Sequence, residues 1–363
     1  MNGMNNRCSC KNVFILVMTS LWLLPSCDSQ DEELQIILQP NYPVAEYCPA
    51  SIVLTCSPGE EFNFAGSSQD ELMAEYYALA SILKNNGIQV YDVRDYDSPS
   101  DEGFRNLFSF RDMHSMVYVR DPIVATARGI VVGKMKNPVR SKEPDLMVRR
   151  LHALAITPIY QLQGENACLE GGDFLPCGST CFIGCGIRTN KEAINELMQA
   201  DAFGVDTVVV VNDKGSNPRE MHLDTYFNII DRDLMTLTWN RYDAKPDDED
   251  FLSVDVYVRP SGSQPYVLTI SHQPLLGFLH AHGISVIRID EVDSLLLGGN
   301  YLCIGPRHII ASESLTSAFY DAMSENSVKV ERIPTTNLRT GKGGIHCATQ
   351  VISRAGRNKD SIF

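Results

Sequence analysis

The 363-residue chain is short of positive charge, with 31 Lys and Arg against 45 Asp and Glu for a net charge of −14. Phosphate backbones are held chiefly by basic side chains, so nucleic acid is excluded as a natural partner. Nor does the chain lack apolar residues: at 44% hydrophobic and 21% charged it has material for a substantial core, which rules out disorder, collagen and a coiled coil. Its leading apolar run, residues 13–24, falls short of the roughly 20 residues of a bilayer span. Cys177, Cys181 and Cys185 lack the closer C-x₂₋₄-C pairing with nearby histidines that a zinc site wants, so no metal and no cofactor are called for.

What is present at the start is an address. Arg7 and Lys11 precede the apolar run, and Leu24-Pro25-Ser26-Cys27 resembles a bacterial lipobox. Residues 1–26 are therefore expected to be a lipoprotein-type signal peptide, with Cys27 lipid-modified after cleavage. Residues 27–44 form an acidic tether opening on Asp28-Ser29-Gln30-Asp31-Glu32-Glu33, and the mature chain carries 29 basic against 45 acidic residues. This predicts an exported protein anchored to a bacterial membrane, periplasmic or at the cell surface. Eight cysteines remain in the folded part, where disulfides are permitted. The spacing of Cys177, Cys181 and Cys185 would put all three on one strand face as small core residues.

Along residues 45–357 one unit recurs: a β-branched strand ending on a polar residue, a second strand, a helix, then a short apolar strand. Copies begin near residues 116, 167, 221 and 296, and residues 52–91 make a fifth with a helix over 71–84. The third carries an Asp-rich excursion over about 241–270. Five related units imply a closed, pseudo-symmetric α/β ring. The polar residues recur at nearly constant intervals, 49 from Asp121 to Glu170, 52 to His222, and 47 from Asn300 to Cys347. The interval of 78 from His222 to Asn300 returns to 48 once the thirty-residue excursion is removed. If the first strands converge on a common axis, these side chains meet at its centre.

Carboxylates, a histidine and a cysteine in one pocket suit a planar cation attacked at carbon by a thiolate. Asp121, Glu170 and Asp224 could each take two N–H groups of a guanidinium. That cation would favour ionised Cys347, and His222 could carry protons. Two residues apart on one strand face, His222 and Asp224 would share the pocket. In an extended segment His346 would face away, so the base is assigned to His222. His114, His152, His272, His280, His282 and His308 are read as structural. Alone, Glu170-Gly171-Gly172-Asp173 would be a turn whose glycines supply positive φ.

Together Pro58-Gly59-Glu60, Tyr118-Val119-Arg120-Asp121-Pro122, Glu170-Gly171-Gly172-Asp173, Arg188-Thr189, His222-Leu223-Asp224-Thr225 and Gly343-Gly344-Ile345-His346-Cys347 resemble, in order, the motifs of the arginine deiminase and amidinotransferase superfamily. The resemblance covers about residues 50–355. It implies a five-bladed α/β propeller (pentein) of ββαβ units and metal-free chemistry on an arginine-like guanidinium. Cys347 would form a covalent thiouronium, His222 would protonate the leaving amine and activate water, Glu170 would orient His222, and Asp121 and Asp224 would grip the guanidinium. Arg140 and Arg188 would hold a substrate carboxylate, with Asn300 and Asp173 shaping the pocket.

The match departs from the pattern in places. Lys342 stands where bacterial arginine deiminases usually carry an arginine, giving a point charge without a bidentate fork. The interval from Pro58 to Asp121 has no room for their extra helical bundle, and the domain is closer in size to agmatine deiminases and dimethylarginine hydrolases. His346-Cys347-Ala348-Thr349 resembles the agmatine deiminase and amidinotransferase ending, whereas His222-Leu223-Asp224-Thr225 is the arginine deiminase form. The preferred activity is hydrolysis of free L-arginine to citrulline and ammonia. Amidino transfer, agmatine or methylarginine hydrolysis, peptidyl-arginine as substrate, and a guanidine-binding lipoprotein without turnover are the alternatives. A homo-oligomer is left open.

Overall fold

A computed structural model of the chain describes residues 15–17, 35–62, 64, 66–96, 110–215, 217–260 and 265–356. Cys27, most of the leader over 1–26 and residues 27–34 of the tether lie outside the described residues. Within the leader only Ile15–Val17 is described, as a strand parallel to Gln35–Ile37. Among the described residues no helix is long and apolar enough to cross a membrane.

The remaining strands form five sheets with one shared connection: a tight antiparallel pair, then a third strand parallel to the second. Ile123–Thr126, Gly129–Val132 and Tyr160–Gln161 make one such sheet. The others begin with Phe174–Cys177, Phe227–Asp231 and Leu302–Gly305. The parallel step needs a crossover, and helices Glu143–Ala153, Lys191–Gln199, Leu275–Ala281 and Ser317–Glu325 supply four of them. In the fifth sheet two segments about 300 residues apart meet: Gln350–Arg354 pairs antiparallel with Ala50–Thr55, which runs parallel to Gln89–Asp92 after helix Gln69–Asn85.

Local sequence explains the elements. Thr207–Asp213 holds four consecutive valines buried on both faces, as a central strand between a sheet and its covering helix requires. Lys191–Gln199 is capped by the Asn190 side chain and turns Ala193, Ile194 and Leu197 inward onto Phe174, Ile183 and Val208. The Asp-rich excursion is an antiparallel hairpin, Leu252–Val258 with Val267–Pro274, that widens the Phe174–Cys177 sheet to five strands.

Two expectations are corrected. The recurring polar residues do not close the first strand of each unit but stand just before it: residues 116–119 are turn, and the strand starts at Ile123. Glu170, His222, Asn300 and Cys347 likewise precede Phe174, Phe227, Leu302 and Gln350. Nor do the three cysteines share a strand face, because a turn at Gly178 (φ 75°) separates Cys177 from Cys181 and Cys185. Cys177 packs into one core cluster, and Cys181 and Cys185 into another. All eight described cysteines are free thiols.

Candidate active site

Cys347 lies in a turn three residues before the strand Gln350–Arg354 and is 3% exposed. Asn300 clamps it: Oδ1 accepts the backbone N–H of Gly344 at 3.0 Å and of Cys347 at 3.2 Å, and Nδ2 reaches the Asp224 carbonyl at 3.1 Å and Cys347 Sγ at 3.2 Å. A Cβ on Gly344 would stand 2.7 Å from that Oδ1, and one on Gly343 would enter the Tyr118 ring at 2.4 Å. These glycines serve close approach; the left-handed position of the loop is Lys342, at φ 69°. Gly171 and Gly172 are used in the same way, not for the positive φ expected of them. A Cβ there would meet Arg120 O at 2.1 Å and the His222 ring at 2.9 Å.

His222 and Asp224 do not share a strand face. They flank the start of the single helical turn Leu223–Tyr226, and their side chains find different partners. His222 Nε2 bonds Glu170 Oε2 at 2.8 Å, while Nδ1 lies 3.8 Å from Asp121 Oδ1. Asp224 Oδ2 accepts from His346 Nδ1 at 2.7 Å and stands 3.6 Å from Cys347 Sγ. His346 therefore contacts the site, contrary to the expectation for an extended segment, because residues 345–348 turn. Asp173 lies behind the site, where its Oδ1 accepts the backbone N–H of Leu223 and fixes that helical turn.

The electrostatics follow from burial against charge. Burial opposes the His222 cation, but Asp121, Glu170 and Asp173 outweigh it and raise its pKa to about 10. Burial also opposes ionised Glu170, yet His222, Arg188 and Arg140 hold that carboxyl well below its ordinary value. Asp224 resists burial in the same way and is net lowered, chiefly by His346. The Cys347 thiol is pushed well up by burial and then by Asp224 and Asp121. These shifts favour a neutral thiol, an imidazolium and ionised carboxylates side by side, a field that attracts a cation.

A cavity of about 220 Å³ joins these groups, with Cys347, His222, Asp121, Arg140, Arg188 and Lys342 in its wall. Glu170, Asp224, Asp173 and Asn300 are not in that wall. Arg140 and Arg188 reach the cavity but bond to the chain's own carboxylates. Arg140 donates to Asp121 Oδ2 at 2.6 Å and Glu143 Oε2 at 2.9 Å, and Arg188 to Glu170 Oε2 at 3.1 Å. Asp121 Oδ1 is left without a hydrogen-bond partner. Asp121 Oδ2 and Asp224 Oδ2 each already accept one hydrogen bond, so a guanidinium gripped by both oxygens of either carboxylate would share them with Arg140 and His346. Lys342 is exposed at the wall.

Sequence reasoning missed several wall residues: His114, read as structural, and Phe64, Ser115, Tyr118, Asn137 and Met221. His114 bonds Ser115 Oγ at 2.6 Å and meets Phe64 edge-on. Among the described residues Asp121, Glu170 and His222 could offer a metal three ligand atoms within 4.8 Å of one another. Arg140 and Arg188 already neutralise two of these carboxylates, which disfavours a dication there.

The arginine deiminase family profile matches residues 96–354. Arginine deiminase of Borreliella afzelii is 27% identical over 291 residues, 74% of this chain and 68% of that one. That of Halobacterium salinarum is 26% identical over 320 residues, 66% and 64%. Among solved structures, DDAH from Pseudomonas aeruginosa complexed with citrulline superposes with a TM-score of 0.58 at 13% identity, covering 83% of this chain and 98% of that one. SxtG, an amidinotransferase from Microseira wollei, gives 0.62 at 14% identity, covering 90% and 100%. The structural likenesses concern the fold, a mixed α/β architecture.

Proposed function

The chain belongs to the arginine deiminase family, and from that premise we propose that it hydrolyses the guanidino group of free L-arginine to citrulline and ammonia. The observation that carries this is the single cavity onto which Cys347, His222 and Asp121 open, with Glu170 and Asp224 bonded behind them. A guanidinium entering it satisfies Asp121 Oδ1 and offsets the two carboxylates that keep the thiol protonated, so the thiol gives its proton to solvent and the thiolate forms where the electrophilic carbon arrives. Sulfur attacks that carbon, the imidazolium of His222 gives its proton to the departing nitrogen, and ammonia leaves a thiouronium on Cys347. Water then loses a proton to His222 and attacks the same carbon. The C–S bond breaks, sulfur keeps the electron pair and takes up the proton that the new hydroxyl loses as it becomes the ureido carbonyl, and the product is released. Glu170 holds His222 in orientation throughout.

With Arg140 and Arg188 engaged by Asp121 and Glu170, Lys342 becomes the chief cation for a substrate carboxylate. This favours agmatine as the second reading. A panel of arginine, agmatine, asymmetric dimethylarginine and an arginyl peptide, scored for ureido product with and without glycine or ornithine, tests both. Arginine is expected to be preferred, and Lys342→Ala to raise its KM about tenfold while sparing agmatine. Cys347→Ala is expected to remove turnover, and retained activity in that variant would leave only a guanidine-binding role.

We further infer that the five sheets close as a five-bladed propeller spanning residues 45–357, which the shared ββαβ connection and the pairing of Gln350–Arg354 with Ala50–Thr55 support. The leader and Cys27 support export and lipid anchoring, and detergent-phase partition lost in Cys27→Ser is the expected outcome.

A further inference from the structure

Asp224 is fully buried, and the histidine that bonds it is held through one ring nitrogen and through its backbone. His346 donates Nδ1–H to Asp224 Oδ2 at 2.7 Å, its backbone N–H goes to Asn300 O at 3.1 Å, and its carbonyl accepts Arg120 Nε at 2.7 Å. Behind it, Nε2 faces Glu46 Oε1 at 3.7 Å. Glu46 comes from the N-terminal segment, where its N–H bonds Pro176 O at 2.9 Å and Ala45 pairs with Cys177. Arg354 hydrogen-bonds Glu46 Oε2, and Arg120 Nη1 lies 3.7 Å from Oε1. The same Arg120 takes the Cys347 carbonyl through its backbone N–H at 3.2 Å. A buried bracket thus runs from the first folded residues to the carboxylate beside the thiol.

A carboxylate that can spin about its Cβ–Cγ bond presents either oxygen to a ligand; one with a charge-assisted hydrogen bond on a chosen oxygen presents the other. We propose that His346 is a positioning residue: it holds Oδ2 of Asp224, just behind the cavity wall, and so sets the direction in which Oδ1, 3.9 Å from Cys347 Sγ, faces an incoming guanidinium, and Glu46 keeps His346 in that setting from behind. This rests on the guanidine-hydrolase reading above. It assigns a role to the histidine beside the nucleophile that involves no proton transfer to substrate, and it ties the site to the segment that follows the tether.

The test uses the full chain and its His346→Ala, His346→Asn and Glu46→Gln variants, with urea unfolding to establish that each folds. Asn can place its Nδ2 donor where the imidazole Nδ1 stands. His346→Ala is expected to lower kcat/KM about 100-fold, with KM raised about tenfold, and His346→Asn to recover at least about tenfold of that loss. Glu46→Gln is expected to raise KM about threefold or more. A folded alanine variant within about threefold of the parent, or a folded asparagine variant no better than alanine, overturns the proposal. If the alanine variant does not fold, Glu46→Gln decides, and an unchanged KM overturns it. A parent chain that turns over no guanidine in the panel overturns the hydrolase reading instead. The positioning claim is then decided by the ¹⁵N-histidine spectrum: slow exchange of the His346 Nδ1–H supports it, and exchange as fast as that of the exposed His272 ring overturns it.

Discussion

Replacing Glu170 by Gln removes one charge from the pair that keeps His222 protonated while leaving the side chain's shape nearly unchanged. In the native site the imidazole and carboxylate are 2.8 Å apart, with Glu170 fully buried and His222 3% exposed, so solvent screens the pair little. A hydrogen bond to a charged group contributes about 1.5–3 kcal/mol, and about 1.4 kcal/mol corresponds to one pKa unit or tenfold in rate. The His222 pKa is therefore expected to fall from about 10 by about 1–2 units, and kcat/KM by about 10- to 150-fold. Asp121 and Asp173 remain to oppose the burial that favours the neutral ring, which stops the fall short of its full extent.

The sign is fixed by linkage. A histidine whose folded pKa is raised contributes stability that is complete below its unfolded value, about 6.5, and lost as pH rises through the folded value, about 10. In Glu170→Gln that window closes earlier. Ureido product formation measured between about pH 6 and 11 should show the alkaline limb moving toward neutrality, and urea midpoints should show the matching loss of stability. An alkaline limb at the parent's pH, together with kcat/KM within about threefold of the parent, would refute the claim that Glu170 sets the His222 proton.

Gly344→Ala should displace Asn300, since the new Cβ would stand 2.7 Å from its Oδ1; a stability loss of about 1–3 kcal/mol and a larger drop in turnover than in substrate affinity are expected from chemical denaturation and steady-state kinetics. Asp173, raised by burial to about 7, binds a proton more tightly in the folded chain, so the parent loses stability as pH rises from about 4 to 7. Asp173→Asn retains an acceptor for the Leu223 N–H and removes the ionisation; its urea midpoint should vary less between those pH values than the parent's.

Much of the fold was legible because strand and helix periodicities are local. The valines of Thr207–Asp213 and the capped helix Lys191–Gln199 lie where the pattern put them. The chemistry-bearing positions were legible for a related reason: a repeated unit spaces its loops evenly, so Asp121, Glu170, His222, Asn300 and Cys347 advertise themselves by interval. The pattern misplaced them relative to their strands because a short apolar run such as residues 116–119 reads alike whether it is strand or buried turn.

Tertiary structure alone decided who bonds whom. Nothing local says that Arg140 is committed to Asp121 and Glu143, or that His346 turns to Asp224 while His222 turns to Glu170. Likewise His114 lines the cavity beside Phe64, which comes from a distant loop and meets it edge-on. Residue type and spacing determine which groups can arrive at the site. Which oxygen, nitrogen or sulfur each group then meets depends on loops far apart in the chain being laid across one another, and that information exists only once Ala50–Thr55 and Gln350–Arg354 have paired to complete the fifth sheet.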